Sequence, residues 1–201
     1  SFSPEIALQM VKLFTRAGLR MTKGQQIDLS NSLPQRLSME DYLAAVKGKS
    51  GASIAAFACA PAIAALAPPR LLEGLLEYGE NLGVVIQLIS DVREVWSASV
   101  GPDLMNGRLS LPVIYALESS SPEDRQRLLF VMDTIRVTKE GYLLRDLLDQ
   151  LGVRMYVEMR IELYRRKARA ALEPLSRYPE LLSTLSALLD IPTFLASAPL
   201  I

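Results

Sequence analysis

There is no histidine among the 201 residues. That absence removes imidazole acid–base catalysis, His-based nucleophilic triads and His-ligated metal centres. Cysteine is nearly missing too. Cys59 stands alone between alanines, so no internal disulfide can form, and the residue reads as a small buried hydrophobe. No base or cation adjoins it, which argues against a nucleophilic role. Neither sign of charge is in excess: Lys plus Arg and Asp plus Glu each number 22. The balance gives no general pull toward nucleic acid or anionic membrane, so no nucleic-acid partner is expected. No basic-then-apolar leader opens the chain, and with so little cysteine this predicts a cytoplasmic protein.

Charge is also missing locally. Ser50 to Pro69 runs twenty residues without a charged side chain, long enough to suggest a membrane span. Its content is mostly Ala, Gly and Ser, and Pro61 is expected to interrupt it. Small residues suit close helix packing, so no span is predicted. What is present is a composition for one sizeable core: 50% hydrophobic and 22% charged residues make an ordered globular chain.

The periodicity is helical nearly throughout. Ile6, Met10, Leu13 and Phe14 repeat at helical spacing. Ser38-Met39-Glu40-Asp41 has the form of a helix start with acid in its first turn. Pro68-Pro69 closes the Ala-rich segment, and residues 70–95 read as a longer helix. Pro112 sits where a first helical turn tolerates proline, and residues 119–124 carry another capping signature. Helices are predicted over 125–136, 141–151, 153–175 and 180–189. In the 153–175 segment Arg160, Arg165, Arg166, Lys167 and Arg169 lie beside Glu158, Glu162 and Glu173, the pattern of a solvated face. No paired alternating runs occur, so the fold class is all-α, a helical bundle around one core.

The chemistry concentrates in residues 79–94, an apolar stretch ending in Gln87, Asp91 and Glu94. Spacings of four and three place these three on one helix face. Buried, such a trio must be hydrogen-bonded, paired or holding a cation; exposed, it is a solvated helix end.

Four segments then occur in a fixed order. They are Gly24-Gln25-Gln26-Ile27-Asp28-Leu29, Tyr42 seven residues before Lys49-Ser50-Gly51-Ala52, the 79–94 stretch, and residues 103–112, Asp-Leu-Met-Asn-Gly-Arg-Leu-Ser-Leu-Pro. The series resembles the trans-isoprenyl diphosphate synthase (polyprenyl synthetase) family, whose patterns read GQxxDL, YxxxxxxKTG, FGxxLGxxFQxxDDxxD and DxxxGKxTLP. Each is weak alone; together they are specific. The resemblance implies an isoprenoid-synthase-type bundle around a central cavity, with residues 1–201 one such domain lacking the family's N-terminal helices. It implies Mg2+ as cofactor, prenyl diphosphates as substrates, and a homodimer or a catalytic partner subunit. Carried over by position, Asp91 and Glu94 are metal ligands. Lys49 and Ser50 contact the allylic diphosphate, Gln87 lines the cavity, and Lys49, Gln87 and Asp91 form the catalytic set. Arg108 stands where the family has a diphosphate-binding Lys, and Gln25 with Asp28 braces the cavity.

Structural alternatives remain for several of these: a turn cap for Gln25 and Asp28, a solvated helix face for Lys49, ordinary surface charge for Arg108. Two departures also matter. Ser90 replaces the first Asp of the second Asp-rich motif, and no DDxxD motif occurs in the chain. A non-catalytic subunit of the same fold is therefore a competing reading, as is a helical binding protein whose motif matches are coincidental. The wording of residues 90–94 and 110–115 is also similar to a bacterial offshoot that prenylates a peptide pheromone.

Overall fold

The computed structural model describes residues 2–30, 38–97, 101, 104, 109–138 and 141–192, without the side chains of Ser30 and Arg136. Among them every regular element is helical and no strand occurs, in agreement with the all-α reading. Helix α1 is Pro4–Ser30, α2 Met39–Val46, α3 Ala52–Ala64 and α4 Pro69–Trp96. Then come α5 Leu111–Ser119, α6 Pro122–Thr138, α7 Tyr142–Gln150, α8 Val153–Ala171 and α9 Pro179–Ala187. A π-helical turn, Lys47–Gly51, joins α2 to α3, and 3-10 turns occupy Glu173–Leu175 and Leu188–Asp190.

The helix starts are set by local chemistry. Ser38 Oγ accepts from the Asp41 amide at 3.1 Å and donates to Asp41 Oδ2 at 2.6 Å, a reciprocal cap that satisfies first-turn donors of α2. Ser121 and Asp124 repeat the arrangement at α6. Proline opens α4, α6 and α9, where its missing amide costs nothing.

Three expectations are corrected. Pro61 does not interrupt the Ala-rich helix but lies inside α3, where it removes only the bond that the Phe57 carbonyl would receive. The segment from Tyr42 onward is not one uniform α-helix, because the π-helical turn divides it. The helix from Val153 stops at Ala171 and tightens into a 3-10 turn at Pro174. The solvated face of α8 is confirmed by the exposed Arg166–Glu162 pair at 3.0 Å. Among the described residues no helix is long and apolar enough to cross a membrane.

The chain divides into two compact units. The first comprises Ser1–Ile27, Leu43–Gln87 and Glu162–Ile191. Its core brings Cys59, Leu71, Leu75, Tyr78 and Leu82 against Ala168, Leu172, Leu175 and Leu189. The buried Cys59 is 3% exposed, and burial pushes its thiol up to about 11, with the negative charge of Glu80 adding. It is the inert small hydrophobe the sequence predicts. Tyr78 donates its hydroxyl proton to the Leu185 carbonyl at 2.8 Å, and burial pushes it up to about 12.

The second unit comprises Asp28–Tyr42, Leu88–Ile161 and Pro192–Ile201. In it α5 packs on α6 and α7, burying Leu111, Ile114, Leu128, Ile135, Leu144 and Leu148 completely or nearly so. On α1, Ile6, Ala17 and Gly24 face the interior. The opposite face, with Leu8, Val11, Thr15, Leu19 and Thr22, is exposed and carries no charge. Leu19 is 68% exposed there and Val11 62%.

Candidate functional site

In the first unit, segments far apart in sequence meet through backbone-to-backbone contact. A methyl group on Gly24 of α1 would stand 2.7 Å from the Lys49 amide nitrogen and 2.8 Å from the Ala45 carbonyl. One on Gly83 of α4 would stand 2.6 Å from Gly51 Cα. Both positions require glycine because helix backbones touch there. The Lys49–Gly51 turn is thereby held between α1 and α4. Ser50 donates its hydroxyl proton to Gln87 Oε1 at 3.2 Å, joining the π-helical turn to α4 by side chains as well. Lys49 is half-buried on that turn, and Gln25 is half-buried within α1. Neither Gln25 nor Asp28 caps a turn, because both lie inside α1.

In the second unit the central residue is Asp91, 5% exposed near the end of α4. Its Oδ2 accepts the Tyr42 hydroxyl proton at 2.6 Å and the Leu111 backbone amide at 2.8 Å. Leu111 is the first residue of α5, so the carboxylate satisfies one of the orphan amides at that helix start. One carboxylate oxygen thus holds α2, α4 and α5. Three residues on, Glu94 is half-buried. Its backbone carbonyl accepts from the Gly101 amide at 3.0 Å, and its carboxylate lies directly over Gly101, so that a side chain there would have to displace it. Glu94 Oε2 is buried and has no hydrogen-bond partner among the described residues. Ser90 is exposed.

The structure therefore brings Ser50 to Gln87 and sets the Lys49 turn against Gly24. It ties Asp91 to Tyr42 and to the start of the Ser110-Leu111-Pro112 segment. Arg108 lies outside the described residues. Sequence reasoning missed the brace formed by Tyr42, whose fixed spacing before Lys49 was its only sign, and the apposition of Gly101 and Glu94, which nothing in the pattern announced. Among the described residues no trio of Cys, Asp and Glu side chains clusters as a preformed metal cage.

Comparison with known proteins matches the Polyprenyl synthetase family model to residues 4–148. Octaprenyl diphosphate synthase of Escherichia coli is 27% identical over 182 residues, covering 86% of this chain and 55% of the relative. Geranylfarnesyl diphosphate synthase of Aeropyrum pernix is 29% identical over 186 residues, covering 88% and 56%. The chain thus spans about half the length of the curated relatives it matches. Among solved structures, a polyprenyl synthase of Roseobacter denitrificans superposes with a TM-score of 0.78 at 27% identity, covering 92% of this chain and 63% of that one. A polyprenyl synthase of Caulobacter crescentus, solved with calcium and isoprenyl diphosphate, gives 0.74 at 26% identity, covering 92% and 59%.

Proposed function

The chain belongs to the polyprenyl synthetase family, and we propose that it condenses an allylic diphosphate with a second isoprenoid, alone or as part of a larger enzyme. In this reaction the allylic C–O bond breaks with its electron pair leaving on the diphosphate. The resulting carbocation is attacked by the double bond of the second isoprenoid, and a proton is lost.

The single observation that carries this reading is the convergence of three motif segments in the first unit. Gly24 rests on the Lys49 amide, Gly83 on Gly51, and Ser50 bonds to Gln87. Lys49 gives a cation for diphosphate oxygens on a turn that backbone contacts keep from moving. Ser50 commits the Gln87 carbonyl, and so sets which way that amide faces. Gln25, within α1, is assigned to the same substrate, and Arg108 to its diphosphate.

A divalent cation such as Mg2+ fits Glu94, whose buried Oε2 is unpartnered among the described residues and is a hard oxygen donor. Asp91 adds a second carboxylate one helical turn earlier. Two carboxylates are few, but Mg2+ is commonly held by one or two together with substrate phosphates. Bound, the ion would neutralise charge developing on the departing diphosphate. That the Caulobacter relative was solved with calcium and isoprenyl diphosphate supports a divalent cation together with a prenyl diphosphate. A homodimer or a catalytic partner subunit is supported by the exposed, uncharged outer face of α1, and a cytoplasmic location rests on the scarcity of cysteine alone.

The test is calorimetric titration of the chain with geranyl diphosphate, with and without Mg2+. Lys49→Met should weaken binding by about ten- to a hundredfold, the loss of one charge-assisted contact. Glu94→Gln should abolish the Mg2+ dependence. Unchanged affinity in both variants would refute the assignment.

A further inference from the structure

In the second unit, two donors to Asp91 fall on the same oxygen. Tyr42 donates its hydroxyl proton to Oδ2 at 2.6 Å, and the Leu111 amide donates to that atom at 2.8 Å. A carboxylate has roughly four lone-pair sites, shared equally by its oxygens, so these donors fill Oδ2. A cation that reaches Asp91 therefore does so through Oδ1.

The arrangement is held from several sides. Tyr42 and Asp91 are both buried, so water does not readily replace a lost donor. The donors come from different helices, α2 and α5. These helices are tied to each other again where the Met39 amide donates to Glu118 Oε1 at 2.9 Å. Turning the carboxylate so that both oxygens face one cation would break both buried bonds. Two polar atoms close by in sequence also call for a ligand. Glu94 Oε2, one helical turn after Asp91, and Ser110 Oγ, next to Leu111, are buried without a hydrogen-bond partner among the described residues.

We propose that Tyr42 is a positioning residue that makes this site select Mg2+ over Ca2+, by holding Asp91 to ligation through a single oxygen. This rests on the reading above that Glu94 and Asp91 take a divalent cation together with a prenyl diphosphate. Mg2+ demands a near-ideal octahedron, and one or two carboxylates with waters and phosphate oxygens complete it. Ca2+ takes roughly six to eight oxygens in a flexible shell, and a carboxylate that gives both of its oxygens helps to fill it. A filled Oδ2 therefore costs Mg2+ nothing and withholds one oxygen from Ca2+. The discrimination comes from what the site denies the wrong ion, not from an extra contact to the right one.

The experiment is calorimetric titration of Mg2+ and, separately, Ca2+ into the full chain with geranyl diphosphate present. It compares the parent with Tyr42→Phe, at a temperature where both keep the same helical spectrum. The parent should bind Mg2+ more tightly than Ca2+. Tyr42→Phe opens a lone pair on Oδ2 and lets the carboxylate turn. Mg2+ should then bind about tenfold more weakly, the usual cost of losing a partner that orients a metal ligand. Ca2+ should bind as tightly as before or more tightly. The deciding quantity is the ratio of the two affinities, because a fold merely loosened at Tyr42 would weaken both ions alike and leave the ratio unchanged.

A folded Tyr42→Phe variant with the parent's ratio would overturn the selection and leave the proposed function standing. If that variant does not fold, the parent carries the test, since a parent that binds Ca2+ as tightly as Mg2+ overturns the selection by itself. A parent whose binding of geranyl diphosphate responds to neither ion would instead remove the cation reading, and the selection with it.

Discussion

Tyr42 and Asp91, 49 residues apart, share a buried 2.6 Å hydrogen bond, and the same carboxylate oxygen holds the first amide of α5. Asp91 thus has a structural task whatever it does for a metal. Tyr42→Phe should lower stability by about 1–3 kcal/mol, the range for a hydrogen bond to a buried charged group. Asp91→Ala removes the acceptor from both donors and should cost more than Tyr42→Phe. Urea denaturation followed by circular dichroism measures both. A Tyr42→Phe variant as stable as the parent would show that the bond is not formed in solution.

Alkaline pH should weaken the first unit before acid chemistry matters there. Burial, aided by Glu80, raises Cys59 from 9.0 to about 11, and burial raises Tyr78 from 10.0 to about 12. Both folded values lie above the unfolded ones. The resulting stability is fully present below the unfolded pKa values and is lost as pH rises through the folded ones. Melting temperature should therefore decline between about pH 9 and 12, and Cys59→Ala should soften the lower part of that decline. A flat profile in the parent would contradict the burial of both groups.

Leu66 adopts φ 54°, in the left-handed region, just past the end of α3. The Ala67 amide bonds back to Ala62 at 2.9 Å and the Leu66 amide to Ile63 at 3.0 Å, a closure that glycine normally supplies. Leu66 is 74% exposed and contributes little burial. Leu66→Gly should raise stability by about 1 kcal/mol; a loss of stability on thermal melting would reverse that expectation.

The exposed, uncharged face of α1 should carry self-association. Leu8→Glu combined with Leu19→Glu should shift sedimentation toward the smaller species while the helical spectrum stays unchanged. A parent chain that already sediments as a monomer would remove the homodimer reading for this segment.

Helices were legible because their signals are local. Ser38 with Asp41, Ser121 with Asp124, and the prolines at 69, 112 and 122 mark starts through contacts three residues long. The Lys49, Ser50 and Gln87 positions were legible only through their spacing in motifs, since nothing local says that a turn at residue 50 meets a helix at residue 87. Pairings such as Tyr42–Asp91 and Arg20–Glu80 leave no periodic trace. They depend on how helices pack, and in a chain with 22 charges of each sign many partners are chemically equivalent. The Pro61 misreading has a similar origin: one lost hydrogen bond weighs heavily in an isolated helix and lightly in one packed as closely as α3.

The π-helical turn at Lys47–Gly51 also sets the phase of everything after it. A wider turn holds an extra residue, so the helical pattern downstream is offset by about 100° from what an unbroken α-helix would give. Ala52, Ala55, Ala56 and Cys59 face the interior only with that offset in place. Deleting a single residue, Gly48 for instance, would let the turn relax to ordinary helix without breaking it. The alanine stripe would then rotate out of register with Gly79, which lies against Ala55, and the turn would no longer seat Gly51 against Gly83. Removing one small residue from the turn would thus disturb packing along the whole of α3.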